Sequence, residues 1–222
     1  MSSSKQTYRI TIVGAGIIGL TTACTLLKEY ADDSHFLLTI ISEKFSPETT
    51  ADISAGYWEP YGLVDLSQRA MDWAAYTYKI FSDEFLSNKA AHAGVIKIQS
   101  YMLRSYSDTG KDQGQPEFRH IVQDYRILDE NTMKMFDHFQ PPMGFSMSSI
   151  IVEQVKYLPQ LQCYLAADPR VTFFKGTIHA FEELKETADV IINCTGLTAR
   201  YLASDPTVRP ARGQVKSMKR FH

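Results

Sequence analysis

The sequence has few cysteines and no spacing that would use them together. Cys24, Cys163 and Cys194 are odd in number and far apart, with no CxxC pair, so no disulfide framework is expected. Its six histidines lack HxxxH or HExxH spacing, and no metal site is expected. An excess of one charge is missing too, since 23 Lys+Arg stand against 25 Asp+Glu. That balance argues against a nucleic-acid binder, although Arg209 to Arg220 carries five cations and no acid. The nearest thing to a long hydrophobic run is 18 uncharged residues between Arg9 and Lys28, broken by three glycines and four threonines. No membrane span is expected from it. A small-x-small cleavage site is lacking after the start MSSSKQTYR, and Ser2 follows Met1 where myristoylation needs glycine. Repeats and low-complexity runs are absent. What remains is an ordinary globular composition, 44% hydrophobic and 12% aromatic, suited to a reducing compartment. Its 222 residues admit one large α/β domain, or one domain plus part of another.

The glycines that interrupt the apolar run are informative. Tyr8 to Val13 is short and β-branched, like a buried parallel strand. Ile17 to Leu27 reads as a helix that runs out to solvent at Lys28, Glu29 and Tyr30. Between them Gly14-Ala15-Gly16-Ile17-Ile18-Gly19 forms a GxGxxG. Gly14 permits a tight turn, Gly16 lets the backbone approach a pyrophosphate, and Gly19 lets the helix pack on the strand. Amides of the helix's first turn then face the phosphates, assisted by the helix dipole. A second strand, Phe36 to Ile41, leads to Glu43, 24 positions after Gly19. A carboxylate there accepts hydrogen bonds from an adenosine ribose and repels a 2′-phosphate. NADP is disfavoured, NAD and FAD stay open, and an ordinary solvated acid is the plain alternative.

Lys44 to Tyr61 is too rich in Pro, Thr and Gly for a crossover helix and reads as an ordered loop. Thr49 and Thr50 offer hydroxyls to phosphate oxygens, and Gly56 permits close approach to a flat ring. Ala188 to Gly196 reads as a short buried strand returning to the same sheet, with Thr195 and Gly196 near the nucleotide. In the middle, Val64 to Asn88 is helical, with Ala74, Tyr78, Phe81 and Phe85 on one apolar stripe. Val95 to Leu103 and Gly144 to Val152 read as strands, separated by a polar loop from Ser105 to Gln115. Tyr157 to Ala167 is a helix with Pro159 in its first turn. Asp32-Asp33, Asp129-Glu130 and Glu182-Glu183 read as solvated turns rather than paired catalytic acids. Cys194 has no evident base and reads as a small strand-end residue.

Taken in order, VGAGIIGLTTA, ISEKFSPETTADISAGYWEPY, DVIINCTGLTARYLASD and VRPARGQV resemble the D-amino-acid oxidase and D-aspartate oxidase family of flavoenzymes. The resemblance spans nearly the whole chain. It implies an α/β fold: a Rossmann-like FAD-binding domain with an inserted mixed-sheet (α+β) substrate domain, its C-terminal part missing. The implied FAD-binding domain covers 1–59 and 151–207, and the partial substrate domain 60–150 and 208–222. FAD is the implied cofactor, with Gly14, Ala15, Gly16, Ile17, Ile18 and Gly19 at the pyrophosphate and Glu43 and Lys44 on the adenosine side. Thr49, Thr50, Gly56 and Tyr57 would line the pyrophosphate and flavin. Ile178 would contact the adenine side, and Thr195 and Gly196 would close the site. Tyr57 and Glu59 would line the substrate pocket. Glu43 replaces the aspartate common in the family, a conservative change. A carboxylate at Glu59 is a departure that would disfavour acidic D-amino acids by repulsion, whereas the ISEKFSP and GLTAR stretches look more like the D-aspartate oxidases.

The implied reaction converts a D-amino acid, dioxygen and water to a 2-oxo acid, ammonia and hydrogen peroxide. The implied partners are that substrate and dioxygen, with a homodimer left open. The implied compartment is cytoplasmic or peroxisomal, although the chain ends Arg-Phe-His without the usual peroxisomal tripeptide. In the family, the arginine and tyrosines that fix the substrate carboxylate follow the RGQ motif. Here Arg212-Gly213-Gln214 stands eight residues before the end, so no catalytic residue is named. Two other readings are a non-catalytic truncated FAD-binding module or partner of a full-length subunit, and an NAD-dependent Rossmann dehydrogenase.

Overall fold

Short β-branched stretches alternate with helices at both ends of the chain, and a computed structural model shows how they assemble. The structure describes residues 7–33, 35–60, 67–104, 114–139, 141, 143–211 and 213. Arg212, Gln214 to Met218, most of the 105–115 loop and helix positions 64–66 lie outside the described residues. In chain order, β1 (Tyr8–Val13), α1 (Ile17–Glu29) and β2 (Phe36–Ser42) are followed by a single 3₁₀ turn, Thr50–Ile53. Next come α2 (Gln68–Leu86), α3 (Ala90–Ala93), β3 (Val95–Arg104), β4 (Gln123–Ile127), α4 (Glu130–Met133) and β5 (Met143–Val152). The chain continues through α5 (Gln154–Ala166), β6 (Val171–Lys175), β7 (Val190–Asn193) and α6 (Ala199–Leu202). It divides into two compact units, Met1–Ala55 with Gln154–His222, and Gly56–Glu153. Residues 208–211 fall in the first unit, where the Val208 carbonyl accepts from Arg200 Nη1 at 3.2 Å.

The first unit is a four-stranded sheet in the order β6-β2-β1-β7, parallel throughout. β1 pairs with β2 from Tyr8↔Phe36 to Val13↔Ile41, and with β7 from Ile10↔Val190 to Val13↔Asn193. Neighbouring residues of a strand point to opposite faces, and the central strands β1 and β2 pack on both toward their carboxyl ends. Ile12, Leu38 and Ile40 pack with Leu20, Ala23 and Leu27 of α1 and Leu158 and Leu165 of α5, while Val13 and Ile41 pack with Leu184 and Ala188. Burial on both faces is why β1 and β2 read as nearly continuous apolar runs. α5 begins at Gln154, earlier than the sequence suggested, so Pro159 lies inside the helix and not in its first turn. Proline has no N–H to return to the carbonyl one turn back; that carbonyl belongs to Val155, an exposed residue.

In the second unit the described strands form an antiparallel sheet, β3-β5-β4. β3 and β5 pair in register from Val95↔Val152 to Arg104↔Met143. The core gathers Phe145, Met147 and Ile150 with Tyr78 of α2. The Tyr78 hydroxyl donates to the Ser148 carbonyl (2.9 Å) and accepts from Gln123 N (3.2 Å). Trp58 meets the Tyr78 and Phe118 rings edge-on at 4.8 and 5.8 Å. On α2 the expected stripe is buried at Tyr78 but emerges by Phe85, which is 37% exposed.

Candidate cofactor site

The strand order of the parallel sheet decides where a ligand can enter. From β1 the chain moves out through β2 to β6, then returns to place β7 on the other side of β1. The order reverses between β1 and β7, and at such a point the connections leave in opposite directions and open a crevice beyond the carboxyl ends of the strands. Both strands end there in small-residue turns. Gly14 N–H donates to the Ile41 carbonyl (2.8 Å), and Cys194 N–H donates to the Val13 carbonyl (2.9 Å).

Each glycine of the fingerprint has a different reason to be glycine. Gly14 has φ +112°, and a Cβ there would lie 2.2 Å from the Cys194 carbonyl oxygen. A Cβ on Gly19 would lie 1.9 Å from the Gly14 carbonyl oxygen. Both are required by the protein's own backbone. Gly16 differs, because a Cβ there would meet nothing within 4 Å and its φ and ψ of −76° and −174° suit any residue. Gly16 is the N-cap of α1; the first intrahelical bond is Leu20 N–H to its carbonyl, at 3.0 Å. No side chain caps this end, and its first turn holds no acid. The leading amides of a helix have no intrahelical partner, so this end offers free donors and positive potential to an anion. Ala15 is buried, whereas Ile18 is 64% exposed beside this opening.

Across the crevice, Asn193 shapes the turn after β7. Its Oδ1 accepts from both Thr195 N (3.2 Å) and Thr195 Oγ1 (2.7 Å). Gly196 follows at φ +57°, with open space where its Cβ would stand. Burial pushes the Cys194 thiol above its ordinary pKa, against a hydrogen bond with Thr22 that lowers it. Burial likewise pushes the Cys24 thiol up to about 11, so neither is an activated nucleophile.

Glu43 and Lys44 are exposed just beyond β2, where Ser42 Oγ donates to the Lys44 carbonyl at 2.7 Å. Gly176 N–H donates to the Ser42 carbonyl (3.0 Å), which carries the chain from β6 past the same sheet end to Ile178. Ile178 is half-buried and packs on Val13, Ile41, Leu184 and Ala188, so part of its side chain serves the core. Thr49 and Thr50 do not play equal parts. Thr49 Oγ1 donates to Asp52 Oδ2 (2.6 Å) and its N–H to the same oxygen (2.9 Å), while Thr50 is exposed. Asp52 was not singled out from the sequence, although Thr49-x-x-Asp52 has the spacing of a capping box.

Gly56, Tyr57 and Glu59 belong to the second unit. Gly56 has φ +69°, and a Cβ there would lie 1.9 Å from the Val152 carbonyl oxygen. The close approach that excludes a side chain is therefore that of β5, where the sequence had suggested a flat ring. Tyr57 bridges Ile151, and Trp58 N–H donates to the Ile150 carbonyl (2.8 Å). With Trp58 turned into the core, the half-buried Tyr57 and Glu59 share the other side of this extended segment.

Glycine-permitted main chain, free helix amides and an acid beyond β2 fit a dinucleotide with a diphosphate and an unphosphorylated ribose. Among the described residues, no three His, Cys, Asp or Glu side chains gather where they could hold a metal ion. None of the described helices is long and apolar enough to cross a membrane.

Residues 9–221 match the DAO family, described as FAD dependent oxidoreductase. The chain belongs to this family. Its FAD dependence agrees with the donor set at the switch point. Human D-aspartate oxidase is 31% identical over 211 residues, covering 95% of this chain and 59% of that protein. A D-amino acid oxidase of Dugesia ryukyuensis is 27% identical over 209 residues, covering 93% of this chain and 60% of its own length. The chain thus spans about three-fifths of the length of these curated relatives. Glycine oxidase from Geobacillus kaustophilus superposes with a TM-score of 0.61 at 14% identity, over 89% of this chain and 58% of that one. At that identity the likeness is one of fold.

Proposed function

We propose that the first unit holds FAD and that the chain serves the oxidation of a D-amino acid. In that reaction substrate, dioxygen and water give the 2-oxo acid, ammonia and hydrogen peroxide. The observation that carries the FAD reading is the α1 N-terminus at the strand-order reversal, uncapped and free of acids, with open space above Gly16. The D-amino acid reading is supported by the relatives that act on D-aspartate and D-amino acids.

FAD, when bound, supplies a two-electron acceptor at its flavin ring. The chain's own groups bind and orient. Amides at Gly16, Ile17 and Ile18 hold the diphosphate, and Glu43 accepts the ribose hydroxyls with Lys44 beside it. Thr50 presents its hydroxyl, the turn Thr195-Gly196 flanks the phosphates, and Ile178 lends the exposed part of its side chain to the adenine. Tyr57 and Glu59 are assigned to the substrate side by resemblance to the family. A carboxylate at Glu59 facing the substrate disfavours acidic D-amino acids.

The test uses the purified chain and a Gly16→Ser variant. Serine is a good N-cap and meets no atom within 4 Å at its Cβ, so the apo protein keeps its melting temperature. Its side chain occupies the diphosphate's place, and FAD affinity, read by flavin fluorescence, falls by roughly 100-fold, about 2.7 kcal/mol. Equal FAD affinity in the two proteins, or NAD binding without FAD binding, overturns the reading. Peroxide release with D-alanine, D-arginine and D-aspartate tests the substrate half, and a preference for D-aspartate overturns the role given to Glu59.

A further inference from the structure

Asp52 is a buried acid (8% exposed) in a loop of the first unit, and no role for it follows from the glycine fingerprint. Its carboxylate accepts three hydrogen bonds from the segment before it: Ser46 Oγ at 2.5 Å on Oδ1, and Thr49 N (2.9 Å) and Thr49 Oγ1 (2.6 Å) on Oδ2. Burying an acid is costly unless its oxygens are satisfied, and here one side chain gathers both ends of the 46–49 stretch. The same stretch is fixed by Glu48 N–H to the Phe45 carbonyl (2.8 Å) and by Phe45 against the Phe173 ring at 5.8 Å. An ionised carboxylate only accepts, so both donors of Thr49 are committed to Asp52. The hydroxyl left for a ligand is that of Thr50.

We propose that Asp52 is a positioning residue for the cofactor. By holding Ser46 and Thr49 it presets the loop after β2, so that Lys44 and Thr50 are in place before the dinucleotide arrives. This rests on the reading of the first unit as the FAD site. Preorganisation of this kind raises affinity by removing the ordering cost from the binding step.

Asp52→Ala removes the acceptors of all three hydrogen bonds and is expected to weaken FAD binding by about tenfold, the loss of roughly one charge-assisted hydrogen bond. Asp52→Asn can accept from Thr49 through its carbonyl and donate to Ser46 Oγ through its amide, so FAD affinity stays within about threefold of the wild type. The decisive readout is a double-mutant cycle with Thr50→Ala. If Asp52 acts through the loop, Thr50→Ala costs less FAD affinity in the Asp52→Ala background than alone, whereas a merely global weakening gives additive losses. Amide exchange of the apo protein reads the loop without the cofactor: Thr49 and Asp52 amides exchange faster in Asp52→Ala. Should that variant fail to fold, Thr49→Val with Thr50→Ala runs the same cycle from the donor side. Unchanged FAD affinity in Asp52→Ala, additive losses, or unchanged exchange in the loop overturns the proposal. A wild-type chain that binds no FAD overturns the cofactor reading instead, and the exchange comparison still decides whether Asp52 orders the loop.

Discussion

At the N-terminal end of the parallel sheet, side chains hold the strands together. Arg9 Nη2 lies 2.8 Å from Asp189 Oδ1, and Arg9 Nη1 donates to the Glu186 carbonyl at 2.7 Å, joining β1 to the entry of β7. Arg170 pairs with Asp168 at 2.7 Å, donates to the Tyr30 and Asp33 carbonyls, and lies over the Phe36 ring at 4.6 Å. At the carboxyl end main chain meets main chain: Gly14 against Cys194, Gly19 against Gly14, and the bare start of α1. One end satisfies its polar groups with paired charges, and the other leaves donors facing outward. Residues of the first kind serve stability and those of the second serve binding, so substitutions at the two ends should separate the two properties.

The largest effect belongs to the glycines whose neighbours are backbone. Gly19→Ala or Gly14→Ala forces a methyl to about 2 Å from a carbonyl oxygen that cannot rotate away, and at position 14 the alanine is also strained by the positive φ. Each is expected to cost roughly 3 kcal/mol or more in denaturant unfolding of the apo chain. Gly16→Ser is the counterpart within the same turn, leaving apo stability in place while FAD affinity falls. Were all three variants to behave alike, the distinction between structural and ligand-facing glycines would be lost.

The GxGxxG was legible in the sequence because its spacing fixes both a turn and a helix start, but the division of labour inside it was not. Whether a glycine is demanded by backbone or by a ligand depends on what approaches it from far along the chain, as Cys194 approaches Gly14 and Val152 approaches Gly56. β1, α1, β2, β3 and β5 were readable from apolar pattern; β7 was readable as a strand, but it is the last strand of the described sheet and Val190 is 47% exposed, where a buried strand was expected. β4 was not, because Gln123-Asp-Tyr-Arg-Ile127 is an exposed edge strand, bulged between Gln123 and Arg126, with Asp124 at φ +57°. Asp52 escaped notice for a related reason: its burial is set by tertiary packing, and only the Thr49-x-x-Asp52 spacing marked it.

A smaller effect is expected at Glu43, which is exposed and tied to neither end's packing. Glu43→Gln keeps an acceptor but loses the charge, so FAD affinity should fall by about threefold to tenfold with apo stability unchanged. A comparable loss of apo stability would move Glu43 to the structural side of the comparison.

The smallest effect lies at the opposite end and is read through pH. Hydrogen bonds from Arg9, first from its side chain and then from its backbone, hold the Asp189 carboxyl down at about 2, below the usual carboxylate range near 3.9. A folded-state pKa below the unfolded one means that the unfolded chain binds the proton first as pH falls. The stabilisation from this pair is therefore fully present above about pH 4 and drains away as pH falls through about 2. Asp168, lowered by its bond from Arg170, adds to the same acid limb, so the wild-type curve alone does not isolate Asp189. The difference between wild type and Asp189→Asn does. The variant should be slightly less stable at neutral pH, since an exposed ion pair contributes little, and the gap should close between pH 4 and 2. A gap that stays constant across that window would mean that the substitution costs packing rather than charge. FAD affinity measured at neutral pH should be the same in both proteins, since Asp189 stands at the end of the sheet away from the crevice.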